Sequence, residues 1–130
     1  MHAGCTFVHM YKKYSDGFRK LIAWQEAHKL TLNIYKITKN FPREEMYGIT
    51  SQLRRASSSV AAQITEGSRM PTLNHRKSYY DRAYSSVVEV DYFLELSKDL
   101  EYLNGENYKE LLEKVNRVAY LTKKLSNSCV

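Results

Sequence analysis

Residues 47–67, YGITSQLRRASSSVAAQITEG, decide the fold of this 130-residue chain. Apolar positions recur there at spacings of three and four, which is the period of an α-helix that buries one face. They are Ile49, Leu53, Ala56, Val60, Ile64 and Gly67. Three serines and two alanines at residues 57–62 have very small side chains, so a second helix can approach closely. The stretch therefore predicts a helix that packs tightly against a neighbour.

The same period appears in three other segments, at residues 21–41, 80–100 and 108–125. Phe41-Pro42, residues 67–71 and Asn104-Gly105 are predicted to end the first, second and third helices. The connections between segments are short, which favours antiparallel neighbours, and no segment alternates with a period of two. The sequence predicts an all-α protein, an antiparallel up-down four-helix bundle, over residues 18–127.

Residues 1–17 do not share the helical period and are predicted to be a poorly ordered extension. TFVHMY in this part could form a strand or an extended arm, and KKYSDG is typical of a turn or linker. Cys5 and Cys129 lie at opposite ends of the chain, so free thiols in a reducing compartment are expected. We see no apolar run suited to a membrane span and no secretory signal, which predicts a cytoplasmic protein.

Motifs of the common enzyme and metal classes do not occur in the sequence. A di-iron bundle needs Glu-x-x-His on two helices, but His2, His9, His28 and His75 have no glutamate three residues before them. There is also no phosphate-binding glycine loop and no Gly-x-Ser-x-Gly elbow. We therefore expect no catalytic residues, no metal and no cofactor.

Basic residues dominate the charge of the chain, which is +6 at pH 7. Residues 19–42 contain five bases and one acid, and residues 104–130 contain five bases and three acids. Such an excess favours nucleic acid as the partner, although a merely solvated basic surface is the alternative. The candidate phosphate-binding residues are Lys29, Lys36, Lys39, Lys114, Arg117, Lys123 and Lys124.

Arg54 and Arg55 need a separate interpretation because they lie beside the small residues of the predicted close contact. An unpaired buried charge is unfavourable, so ion pairs with Glu66 and Glu89 are one possibility. Bracing of a subunit boundary and contact with a phosphate are the others, and both arginines are kept as nucleic-acid candidates. The sequence leaves these alternatives open.

Tyrosine is abundant, with 11 residues, and several stand among bases, as in MYKKY and HRKSYYDRAY. Aromatic rings among lysines and arginines can stack on unpaired bases. Tyr80, however, shares a helical stripe with Ala83 and Val87. We therefore expect packing or contacts between subunits for most of the tyrosines.

Two stretches carry a resemblance to a known family: LIAWQEAHKLTLNIYKITKNFP at residues 21–42 and YGITSQLRRASSSVAAQITEGSR at residues 47–69. They resemble the small four-helix-bundle proteins encoded within intervening sequences of bacterial 23S ribosomal RNA genes. The third segment matches more loosely, around Ala83, Ser86, Glu89 and Leu103, and the resemblance covers residues 18–125. The chain departs from the family pattern at Gln63, Thr65 and Ser85. The matching positions are Leu21, Trp24, Gln25, Ala27, Leu30, Tyr35, Thr38, Phe41, Pro42, Tyr47, Gly48, Ser51, Gln52, Arg54, Arg55, Ala56, Val60, Ile64, Glu66, Gly67 and Arg69.

This resemblance implies a cytoplasmic homopentamer with no established catalytic activity. A protein of similar architecture, the accessory variability determinant of diversity-generating retroelements, binds a reverse transcriptase and nucleic acid. We therefore expect a non-enzymatic pentamer that binds RNA through its lysines and arginines. The alternative is a protein-interaction scaffold, or an accessory factor for a nucleic-acid enzyme such as a reverse transcriptase.

Overall fold

A computed structural model describes residues 17–130, and nearly all of the predicted extension lies outside them. The described residues form four long helices and no strand: α1 (Ile22–Thr38), α2 (Ile49–Gly67), α3 (Leu73–Asp99) and α4 (Gly105–Asn127). Short 3-10 helices at Gly17–Lys20 and Arg43–Glu45 precede α1 and α2. Each helix packs against the next along the chain, and α1 also packs against α4. The predicted all-α four-helix bundle is confirmed.

The core consists of the apolar stripes that the helical period predicts. Leucine, isoleucine and valine side chains from all four helices meet there, and burying each contributes about 1.5–3 kcal/mol. The side chains buried almost completely include Leu30, Ile34, Leu53, Val60, Ile64, Val87, Val90, Leu94, Val115 and Val118.

Asn104 and Gly105 begin α4, whereas the sequence predicted that they end α3. The side chain of Asn104 accepts a hydrogen bond of 2.7 Å from the backbone N–H of Asn107, as an N-cap residue does. Helix α3 ends five residues earlier, at Asp99, and Glu101 adopts the left-handed conformation with φ 63°. The prediction was wrong because an asparagine-glycine pair suits either end of a helix.

The predicted close contact between α2 and α3 is confirmed at two points. Ser86 Oγ donates a hydrogen bond of 3.1 Å to Ser59 Oγ, which joins the two helices directly. A Cβ atom on Gly67 would lie 2.8 Å from Cβ of Tyr79, closer than such atoms approach in practice. Gly67 is therefore needed for the helices to pack at this distance.

The other small residues of α2 have different environments. The carbonyl oxygen of Ser57 accepts a hydrogen bond of 3.0 Å from Thr31 Oγ1, so this part of α2 packs against α1. Ser58 and Ala62 are exposed, and they line the outside of the α2–α3 contact. Small residues thus serve the packing of α2 on both neighbours and also leave a shallow surface facing solvent.

A hydrogen bond ties the two connections at one end of the bundle. The Tyr102 hydroxyl donates to Glu45 Oε2 at 2.8 Å, while Glu45 Oε1 accepts a 3.3 Å bond from the Ile49 backbone N–H. The hydrogen bond to the Glu45 carboxylate raises the pKa of Tyr102, with burial adding to the shift. Glu45 thereby links the start of α2 to the α3–α4 connection.

Candidate nucleic-acid interface

The fold places the two basic segments of the sequence side by side, because α1 and α4 are neighbours. Shallow depressions of about 270, 310 and 370 Å³ lie along this pair of helices. We call this surface the α1–α4 groove. The basic side chains that line it are Lys20, Lys29, Lys36, Lys114, Arg117 and Lys124.

Only two carboxylates, Glu26 and Glu110, are among the lining residues of the α1–α4 groove. Arg117 Nε donates a hydrogen bond of 3.1 Å to Glu26 Oε1, which ties α4 to α1. The Arg117 side chain remains 58% exposed, so this exposed pair contributes little to stability and leaves the guanidinium accessible. The groove therefore has a clear excess of positive charge.

Five of the nine predicted nucleic-acid residues line the α1–α4 groove: Lys29, Lys36, Lys114, Arg117 and Lys124. Two further predicted lysines lie elsewhere. Lys123 Nζ lies 5.1 Å from the centroid of the Tyr84 ring, on the side of α4 that faces α3. Lys39 follows the last residue of α1 and is exposed.

Arg54 is half-buried on α2, and its side chain contacts α1. Its Nε donates a hydrogen bond of 2.9 Å to Thr38 Oγ1, and its guanidinium lies 4.8 Å from the centroid of the Tyr35 ring. Thr38 in turn donates to the carbonyl of Ile34 at 2.7 Å. Arg54 therefore braces the last turn of α1, a role that was absent from the three sequence-based alternatives.

Arg55 lies on the opposite side of the bundle, in a depression of about 480 Å³ that we call the α2–α3 groove. Its lining residues are Gln52, Arg55, Ala56, Ser58, Ser59, Ala62, Ser86 and Glu89. Within residues 17–130, no ion pair joins Arg55 to Glu66 or Glu89. On α3, Val88 and Tyr92 lie beside Glu89 and are 54% and 59% exposed. The α2–α3 groove thus combines small residues with charges of both signs, and exposed apolar residues lie near it on α3.

Sequence reasoning missed several polar residues of the α1–α4 groove. Asn33 on α1, Asn40 just after it and Asn107 on α4 line it together with Lys36. Asn33 and Asn40 each stand four residues after a candidate lysine, which is the spacing of neighbours on one helix face. That spacing could have identified them, but the sequence does not say which helix packs beside this face.

Groups with altered titration lie outside both grooves. Burial raises the pKa of Tyr80, which packs against Gly67 in the core.

Among the described residues, no cluster of three or more histidine, cysteine, aspartate or glutamate side chains could hold a metal ion. In the same part of the chain, no helix is both long and apolar enough to span a bilayer.

Residues 19–124 match the model of the 23S rRNA-intervening sequence protein family. The chain belongs to this family. The resemblance found in the sequence at residues 18–125 is thereby confirmed. No curated protein matches this member of the family significantly.

A solved structure supports the same fold. It is a protein of unknown function from the S23 ribosomal protein family of Bacteroides thetaiotaomicron, with a TM-score of 0.73. The alignment covers 81% of this chain and 98% of that chain, at 19% sequence identity. At this identity the likeness shows a shared fold, so the function has to be argued from the surface of this chain.

Proposed function

We propose that this member of the 23S rRNA-intervening sequence protein family binds RNA in the α1–α4 groove and catalyses no reaction. The observation that carries the proposal is the pairing of α1 with α4. Basic residues far apart in the sequence lie together there: Lys36 and Lys114 line one depression, and Lys29 and Arg117 line the next. The proposed site of action is the cytoplasm, where RNA is abundant.

The arrangement of the lysines suits contacts to a phosphate backbone. Lys29 and Lys36 stand two helical turns apart, about 10 Å along α1. Lys114 and Arg117 lie opposite them on α4. Such contacts give affinity that falls steeply with salt and depends little on base sequence. The family's description makes ribosomal RNA and intervening-sequence transcripts the first RNAs to test.

A salt series of RNA-binding measurements tests the proposal. The double variant Lys36→Gln/Lys114→Gln should make the negative slope of log K against log salt less steep by about 1.4–1.8, because two phosphate contacts are lost. Arg82→Gln/Lys98→Gln removes the same charge from α3 and should leave the slope nearly unchanged. Equal losses in both variants, or no binding of the unaltered protein to structured RNA at low salt, would contradict the proposal.

The proposed assembly is a homopentamer whose subunits meet at the α2–α3 groove. Ser58 and Ala62 leave room for a helix of a second copy, and Arg55 and Glu89 offer charges of opposite sign. A head-to-tail contact of this kind can repeat around a closed ring. Five α1–α4 grooves on one particle would then raise the apparent affinity for a long RNA. Light scattering should give five times the mass of the chain, and a stable monomer would contradict this assembly.

A second candidate function is an accessory scaffold for another protein, such as a reverse transcriptase. The exposed side chains of Val88 and Tyr92 on α3 favour it, since exposed apolar residues suit protein contacts. Pull-down from a nuclease-treated lysate separates the two candidates. A partner retained after nuclease treatment supports the scaffold, and loss of every partner supports RNA binding.

A further inference from the structure

We propose that Tyr120 stacks on an unpaired base of RNA bound in the α1–α4 groove. The protein would then prefer single-stranded segments, such as loops, to a continuous duplex. The inference rests on the proposed function and adds to it the kind of RNA that is bound. It also assigns a role to a residue outside the predicted phosphate contacts.

Tyr120 presents its ring to solvent on the outer side of α4. The residue is 66% exposed, whereas Tyr80 in the core is almost completely buried. Within residues 17–130, the Tyr120 ring makes no contact with another aromatic ring or with a cation. The exposed part of this ring is therefore accessible to a base.

The neighbours of Tyr120 on α4 belong to the α1–α4 groove. Arg117 lies three residues before it and Lys124 lies four residues after it, so both share its helical stripe. Both side chains line the groove, one near its middle and one at its end. A strand whose phosphates contact Arg117 and Lys124 would pass the ring of Tyr120.

The chemistry of this stripe suits unpaired nucleotides. An aromatic ring beside a cationic groove is the arrangement by which proteins bind single strands with little sequence preference. Stacking contributes about 1–3 kcal/mol per base, because every base has a flat face that a duplex keeps occupied by its neighbours. The nearest acid of the stripe on α4 is Glu113, two turns from Tyr120, and the charge of Glu26 across the groove is paired with Arg117.

Binding of a short unpaired RNA and of a duplex of the same length tests the inference. Tyr120→Ala should weaken binding of the unpaired RNA about tenfold, as expected for one lost stacking contact, and should leave the salt slope unchanged. Binding of the duplex should change less than twofold. Tyr120→Trp should restore binding, and its indole fluorescence should fall when the unpaired RNA is added.

Tyr47→Ala is the matched control, because Tyr47 is 97% exposed and lies outside the groove, just before α2. If the unaltered protein binds RNA but Tyr120→Ala behaves like Tyr47→Ala, the stacking inference is wrong and the proposed function stands. If the unaltered protein binds no RNA, the proposed function fails first. An equal loss on unpaired and duplex RNA would overturn the preference for single strands. A change of mass in Tyr120→Ala with unaltered RNA affinity would assign the ring to self-association instead.

Discussion

The α2–α3 side and the α1–α4 side of the bundle are built from similar helices with very different side chains. Between α2 and α3, small residues allow direct contact, as between Ser59 and Ser86. Between α1 and α4, the outer positions carry long basic side chains such as Lys29 and Lys114. Charges of both signs line the α2–α3 groove, while positive charge dominates the α1–α4 groove.

Under the proposed function, this difference assigns self-association to one side of the bundle and RNA binding to the other. Mixed charge beside small residues suits a surface of similar composition, such as a second copy of the chain. Positive charge that is not neutralised locally suits a polyanion, because it adds to the potential along the whole groove. Variants that affect one side and spare the other are therefore the sharpest tests.

Charge reversal on the α2–α3 side should have the largest effect. Arg55→Glu places a second acid near Glu89, so the proposed pentamer should dissociate, with an approximately fivefold fall in mass by light scattering. Arg55→Glu/Glu89→Arg should restore the mass, because the charges are exchanged. Lys36→Glu, on the α1–α4 side, is the control and should leave the mass unchanged. If Lys36→Glu dissociates the assembly and Arg55→Glu does not, the subunits meet on the α1–α4 side instead.

Gly67→Ala should break the close packing of α2 on α3. The added Cβ would meet the Cβ of Tyr79 at 2.8 Å, and such overpacking lowers the free energy of unfolding by about 1–3 kcal/mol. Gly105→Ala is the control, because no atom lies within 4 Å of its new Cβ. Urea denaturation of both variants measures the difference. Equal stability of the two variants would mean that α2 and α3 have room to separate.

Arg54→Ala should affect stability without affecting RNA binding. The variant loses the hydrogen bond to Thr38 and the contact with Tyr35, which should lower the free energy of unfolding by about 1–1.5 kcal/mol. RNA affinity at fixed salt should stay within twofold of the unaltered protein. A large loss of RNA affinity in a folded Arg54→Ala variant would restore Arg54 as a phosphate ligand.

The smallest expected effect concerns pH and the connections at one end of the bundle. The pKa of Tyr102 is raised in the folded protein, so its contribution to stability is present below its unfolded pKa and is lost as pH rises through the folded value. The urea midpoint should therefore fall above pH 10, and it should fall less in Tyr102→Phe. An identical pH dependence in both proteins would show that the bond to Glu45 does not contribute.

The sequence was sufficient to predict the helices and to identify the segments that carry the basic charge. Periodicity in residues 47–67 predicted α2, and the counts of bases predicted α1 and α4 as the charged helices. It was insufficient where a residue type suits two environments. Asn104 can end or begin a helix, and its hydrogen bond from the Asn107 backbone N–H shows that it begins α4.

The candidate site depended on information that periodicity does not contain. A helical stripe identifies the buried face of α1. It does not say which neighbouring helix lies on either side of an exposed residue such as Lys36. Arg54 lies on α2 near the serines, yet its partners Tyr35 and Thr38 come from the end of α1. Tyr120 was one of 11 tyrosines, and its position beside the basic groove became evident only from the arrangement of α1 beside α4.

The hydroxyl groups of α2 bear on whether a chain can fold before it assembles. Ser58 donates to the carbonyl of Arg55 at 3.2 Å, and Thr65 donates to that of Ala61 at 2.9 Å. Removing water from a hydroxyl that is already hydrogen-bonded within its own helix costs little free energy. In the proposed pentamer, the exposed face of α2 would be in water in the single chain and would lose that water when copies meet. A chain could then fold completely before it assembles.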